Sequence, residues 1–194
     1  MLFYLFFYNI ENKSKRREKM RNSKKIRIAT AGSHGTGKTF LAKKLARRLG
    51  INYIHDIVRK EAVPKGFEIN ENTPLEVQLW LVMRQWELER TTPPGWVADK
   101  CLFDYLIYGE IALKDAKAKK VIRDVVLKNA KYDYVVWVPI EFPMEKDGVR
   151  SEKENFRKEV ERRYKNLLKK LGVKLILVSG SKKARVEQAL RRIH

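Results

Sequence analysis

Residues 32–39 read GSHGTGKT and stand between an apolar, β-branched run, IRIATA at 26–31, and an amphipathic helical pattern that starts at Lys38. The octet satisfies G-x-x-x-x-G-K-[ST] at every fixed position, in the strand-then-helix context that the pattern requires. Glycines at 32, 35 and 37 let successive backbone N–H groups converge on phosphate oxygens, and the following helix adds the positive end of its dipole. The expectation is that Gly32, Ser33, His34, Gly35, Thr36, Gly37, Lys38 and Thr39 cradle the phosphates of ATP or GTP. Within that cradle Lys38 reaches the β- and γ-phosphates and the Thr39 hydroxyl ligates Mg²⁺. The alternative is a glycine-rich turn that binds nothing, and the strand before it and helix after it argue against that.

Past Lys25 the chain alternates short apolar runs with helical patterns, the signature of parallel strands joined by crossover helices. Strands are expected at 26–31, 52–56, 95–99, 132–139 and 173–180. Helices are expected at 38–49, 74–90 (behind an Asn72/Thr73 cap), 102–113, 116–129, 151–171 and 183–193. Residues 61–72, with their Pro, Gly and Asn, read as a loop. The fold class is therefore α/β: a phosphate-loop domain with a five-stranded parallel sheet and helices on both faces. With 194 residues the chain has room for one such domain at 24–194, preceded by an extension at 1–23.

A single cysteine, Cys101, excludes an internal disulfide and a thiolate zinc cluster, and points to a reducing, cytoplasmic compartment. The three histidines have no metal-ligand spacing, so the metal expected is Mg²⁺ held mostly by phosphate oxygens. The formal charge of +20 invites a nucleic-acid partner, but Lys and Arg alternate with Glu at helical spacing, as in EKENFRKEVERRYKNLLKK at 152–170, which favours a solvated surface. The apolar run MLFYLFFYNI at 1–10 is too short to span a bilayer, and its charges follow it rather than precede it as in a signal peptide. Two readings remain for this segment: a start assigned too early, with Met20 as the natural one, or a tail whose basic run meets an anionic surface.

Four stretches together resemble the small phosphate-loop kinases, in particular the NadR-type group that contains ribosylnicotinamide kinase domains. They are GSHGTGKT, HDIVRKEA after the second strand, ADKCLFDYLIYG after the third and FPMEKDGVRSEKENFRKEV after the fourth. The resemblance implies a small lid at 147–151 whose Arg150 reaches over the phosphates. It also implies an acceptor-side carboxylate at Asp56, with Arg59 as a clamp, and a strand-end Asp99 that serves Mg²⁺ or takes a proton. Which of Asp56 and Asp99 is the base stays open at this point. Where the family has Asp-Arg before a further Asp and Tyr, this chain has Asp99-Lys100 and then Asp104-Tyr105, and a lysine offers a point charge rather than a bidentate fork. Asp104 is carried over as an acceptor contact, and Ser179–Ser181 with Lys182 as the adenine wall. The tryptophans at 80, 86, 96 and 137 read as core.

The function expected is ATP- and Mg²⁺-dependent phosphoryl transfer to a small-molecule acceptor, a nucleoside, nucleotide or related metabolite, with Lys38, Asp99, Arg150 and Asp56 in the catalytic set. The alternative is a nucleotide-dependent binding module acting on nucleic acid or anionic lipid. An AAA-type motor or a GTPase is set aside, since no Asn-Lys-x-Asp run occurs for guanine.

Overall fold

A computed structural model describes residues 25–143 and 154–193. Its sheet has five strands: β1 (Arg27–Ala31), β2 (Asn52–Ile54), β3 (Trp96–Ala98), β4 (Tyr134–Trp137) and β5 (Leu175–Leu177). All pair in parallel, in the order β2-β3-β1-β4-β5. The helices are α1 (Lys38–Leu49), α2 (Leu75–Thr91), α3 (Leu102–Ala112), α4 (Ala116–Asn129), α5 (Glu154–Leu171) and α6 (Lys182–Arg192). Each strand is shorter than expected: β1 loses its first residue, β2 its last two, and the others residues at both ends, so that Asp56 and Asp99 fall just past the ladder. Single hydrogen bonds still carry the ladder past the strand ends: Asp99 N–H to Ile54 O, and Val138 N–H to Ala31 O.

Strand alternation sorts the core into two layers. Ile28, Val97, Val136 and Ile176 pack against Leu41, Ala42 and Leu45 of α1 and Val186 and Ala189 of α6. Ala29, Ala31, Val135 and Trp137 face the other way, onto α2, α3, α4 and α5. The alanines of β1 on that second face leave room for α3, whose Leu102, Phe103, Tyr105, Leu106 and Ile107 are all buried. Because β1 feeds one edge of the sheet and β4 the other, their loops part at the carboxyl end, where such sheets bind ligands.

Two expectations change. Residues 61–72 are not wholly a loop: a π-helical turn (Val58–Ala62) runs into a 3₁₀ turn (Val63–Lys65), closed by Gly66 in the left-handed region. Burial of Val58 and Ala62 in the core outweighs the breaking tendency of Pro64. Thr73 does not cap α2 either, since Pro74 is the cap residue. The Thr73 hydroxyl instead accepts the Asn70 N–H and donates to its carbonyl, closing the loop before the helix. Trp96 and Trp137 are buried, and Trp80 and Trp86 are half-buried against the same core. The lid residues 147–151, with Arg150, lie outside the described residues, as do residues 1–24.

Candidate active site

The octet forms a turn whose glycines cannot be replaced without strain. Gly32 has φ 146°, and a Cβ there would stand 2.3 Å from the carbonyl oxygen of Val138, at the exit of β4. Gly37, at φ 92°, is the cap residue of α1. Lys38 is buried and its Nζ donates to the carbonyls of Gly32 at 2.8 Å and Ser33 at 2.7 Å, so the ammonium lies inside the curve of the loop. The Thr36 hydroxyl donates to Ser33 O at 2.9 Å.

Two arginines hold the outside of this loop, and neither was expected from sequence. Arg157 of α5 is 1% exposed and donates to His34 O and Phe142 O, while its own carbonyl accepts the Ser33 hydroxyl. Arg185 of α6 donates to Thr36 O at 2.7 Å and pairs with Glu141 at 2.8 Å, and Glu141 accepts the Gly180 N–H. One guanidinium thus ties the phosphate loop to the exits of β4 and β5. The legible signal was position: Arg157 continues the buried stripe Val160, Tyr164 and Leu168, and Arg185 adjoins Val186 and Ala189. A charged residue on an apolar stripe needs a partner.

Facing the loop are two carboxylates. Asp99, one residue past β3 and 1% exposed, accepts a hydrogen bond from the Tyr53 hydroxyl at 3.0 Å and shares the cavity wall with Thr39. Burial pushes its carboxyl above the usual range, and the charge of nearby Asp56 adds to this, against the pull of Thr39 and Lys38. Asp56, two residues past β2, accepts the Val58 N–H at 3.0 Å, which fixes it at the start of the π-helical turn. Lys100 Nζ lies 3.6 Å from it and Arg59 Nε 3.9 Å. The Lys100 ammonium also faces the rings of Tyr105 and Tyr108, each at 5.7 Å.

Loop and carboxylates share one cavity of about 510 Å³, whose walls include Gly35, Thr36, Gly37, Lys38, Thr39, Asp56, Arg59, Asp99 and Lys100. Phe142, Pro143, Gly180, Ser181 and Lys182 close its far end. Beyond Lys100 lies a narrow cleft lined by His34, Gln78, Tyr105, Tyr108 and Phe156. Gln78 Oε1 and Tyr105 OH are buried there with no hydrogen-bond partner among the described residues.

Of the residues singled out from sequence, Asp104 stands apart from the cavity wall. It is fully buried and accepts the Cys101 N–H at 2.8 Å, capping α3 from inside the core. Asp104 is three residues past the cap residue, so it works locally as a helix cap. Ser33 and His34 point away from the cavity as well, toward Arg157 and Tyr108.

A family model described as an AAA domain matches residues 27–185. The chain belongs to that family. Sequence reading set an AAA-type motor aside, and small-molecule kinases are among the solved structures that resemble this AAA-domain protein. They include deoxyadenosine kinase from M. mycoides (TM-score 0.68, 15% identity, 87% of this chain and 98% of that one). NadR in complex with NR gives TM-score 0.74 at 17% identity, over 88% of this chain and 51% of NadR. Thymidylate kinase from Ehrlichia chaffeensis gives TM-score 0.62 at 12% identity, over 87% of this chain and 98% of the kinase. At these identities the likeness establishes the fold, that of the phosphate-loop kinases. No curated protein matches the sequence. No helix among the described residues is long and apolar enough to cross a membrane.

Proposed function

We propose that this protein is an ATP-dependent kinase that phosphorylates a hydroxyl of a nucleoside-like metabolite. The observation that carries this reading is the single cavity in which Lys38 and Thr39 face Asp99 and Asp56. Deoxyadenosine kinase and thymidylate kinase, which share this fold, support it.

The donor half suits a nucleoside triphosphate. The loop glycines and Lys38 take the phosphates, and Phe142 with Gly180, Ser181 and Lys182 walls the space for the base. The Thr39 hydroxyl and Asp99 offer hard oxygen donors on one cavity wall, which fits Mg²⁺ with phosphate oxygens completing its shell. When bound, the ion neutralises charge on the transferring phosphoryl group.

The two carboxylates then divide the work. Asp99 accepts the Tyr53 hydroxyl at the end of β3, whereas Asp56 lies beside Lys100 and Arg59 and faces the open cavity. Asp56 accepts the proton of the acceptor hydroxyl as its oxygen attacks the γ-phosphorus, and ADP leaves. Lys100 stands beside the point of attack, and Arg59 at the rim orients the acceptor. Arg150, outside the described residues, is the cation that the family resemblance would assign to the transferring phosphoryl group. The acceptor's ring enters the cleft beyond Lys100, stacking on Tyr108 or Phe156, with polar edges toward Gln78 and Tyr105.

The test follows ADP release from ATP and Mg²⁺ against nucleosides, nucleoside monophosphates and nicotinamide riboside, with Lys38→Ala as control. ADP that depends on a nucleoside-type acceptor and disappears in the variant is the expected result. Slow ADP release that no acceptor changes would favour the nucleotide-dependent binding module.

A further inference from the structure

The turn that carries Asp99 and Lys100 is held from the core by a relay that the chemistry above does not use. Gln85 of α2 donates from Nε2 twice, to Glu89 Oε1 at 2.9 Å and to the carbonyl of Lys100 at 3.0 Å. The Tyr132 hydroxyl, just ahead of β4, lies 2.9 Å from both carboxylate oxygens of Glu89 and accepts the Leu102 N–H at 2.9 Å. Edge-on contacts with Trp96 and Phe103 fix the Tyr132 ring. Glu89 therefore touches the turn at two points, each through one intermediary.

We propose that Glu89 is a positioning residue for phosphoryl transfer: its carboxylate, acting through Gln85 and Tyr132, sets the 100–102 turn and the Asp99 and Lys100 side chains, and taking up a proton releases that hold. The inference rests on the kinase reading.

The donor inventory supports it. Gln85 and Tyr132 each donate a hydrogen to Glu89, which suits an ionised carboxylate, an acceptor only. Within the relay, two atoms stand where they could accept the O–H of a protonated Glu89. Tyr132 Oη already receives the Leu102 N–H. The other choice is Gln85 Oε1, which is buried without a partner among the described residues. Using it requires the amide to flip, which aims its oxygen at the Lys100 carbonyl and breaks the Nε2 bond there. One amide thus has two arrangements, and only one of them grips the turn.

The environment puts this change in an accessible range. Burial raises the Glu89 carboxyl to about 7, against the pull of the Gln85 and Tyr132 hydrogen bonds, and the charge of Asp104 adds a little. The other groups facing it are Cys101 at the head of α3, Arg90 on its own helix, Arg27 of β1 and Lys131 ahead of β4. The three cations share a cleft of about 200 Å³ with Glu89 and favour its ionised form.

The test measures kcat of the full chain from about pH 5.5 to 8.5 at saturating ATP, Mg²⁺ and acceptor, beside the ¹⁵N shift of the Leu102 amide. Wild type should lose on the order of tenfold in kcat toward acid, the worth of one misplaced buried hydrogen bond, with the Leu102 shift following the same midpoint. Glu89→Gln, which keeps the shape and cannot ionise, should flatten both curves and leave KM for ATP within about twofold. Tyr132→Phe removes a bond to the ionised form, so it should move the midpoint to higher pH. A Leu102 amide that does not titrate, or kcat profiles identical in wild type and Glu89→Gln, overturns the relay. A chain without turnover whose Leu102 titration vanishes in Glu89→Gln overturns the kinase reading and keeps the relay.

Discussion

The two halves of the cavity are built from different materials. On the donor side the ligand-facing surface is backbone, curved by glycines and braced from behind by Arg157 and Arg185 through carbonyls. On the acceptor side the surface is side chain: Asp56, Arg59, Lys100 and, beyond them, Gln78 and Tyr105. Backbone amides recognise any polyphosphate, and guanidinium braces keep their charge at every working pH. Side chains select one acceptor and can titrate. The donor half is therefore general and insensitive to pH, and the acceptor half is specific and carries the titratable parts.

The sharpest way to break this contrast is at its centre. Lys38→Ala should reduce ADP formation about 10³-fold or more with any acceptor, because it removes charge from the transferring group itself; single-turnover kinetics with labelled ATP would read it. If the loss depended on the acceptor, the donor half would not be general.

Asp56→Asn should lower kcat about 10²- to 10³-fold while binding of a fluorescent ATP analogue stays within about twofold. Equal losses in both would move Asp56 to the donor half and return the base to Asp99.

Stability should show the same division. The folded Glu89 carboxyl, at about 7, lies above its ordinary 4.5, so between those values the folded chain keeps a proton that the unfolded chain has lost. The stability it contributes is complete below 4.5 and is lost as pH rises through 7, by about 2–3 kcal/mol at most. Urea midpoints at either end of that window, in wild type and Glu89→Gln, would show the slope and its removal.

The smallest effect belongs to the cleft. Gln78→Leu and Tyr105→Phe should change kcat/KM for the best acceptor about tenfold and shift its rank against other rings, with KM for ATP unchanged. A uniform change across the panel would mean that the cleft supports the fold instead.

The same division explains what the sequence disclosed. Gly32 and Gly37 were legible because only glycine takes those backbone angles in so close a fit, and Lys38 and Thr39 follow at fixed spacing. Asp56 and Asp99 were legible from their places just past strand ends. The braces were not, because Arg157 and Arg185 are two among 43 Lys and Arg residues, and only their positions on buried stripes set them apart. Asp104 matched a family pattern, yet its local duty as the cap of α3 outweighed that, three residues from Cys101. The Gln85–Glu89–Tyr132 relay joins residues 43 positions apart, through hydroxyl and amide groups that no periodicity marks. Some of the cationic surface is paired, where Glu159 meets Arg162 and Arg163, and Glu161 meets Lys165.

The reach of Arg185 to the Thr36 carbonyl, across 149 positions of sequence, has a consequence for how the protein comes into being. A ribosome makes the phosphate loop early, but the guanidinium that braces it emerges only when the last helix is made. Until then the nascent loop lacks one of its two walls. A nucleotide added to stalled chains should therefore be held tightly only once α6 has cleared the exit tunnel, so the motif written first is the one finished last.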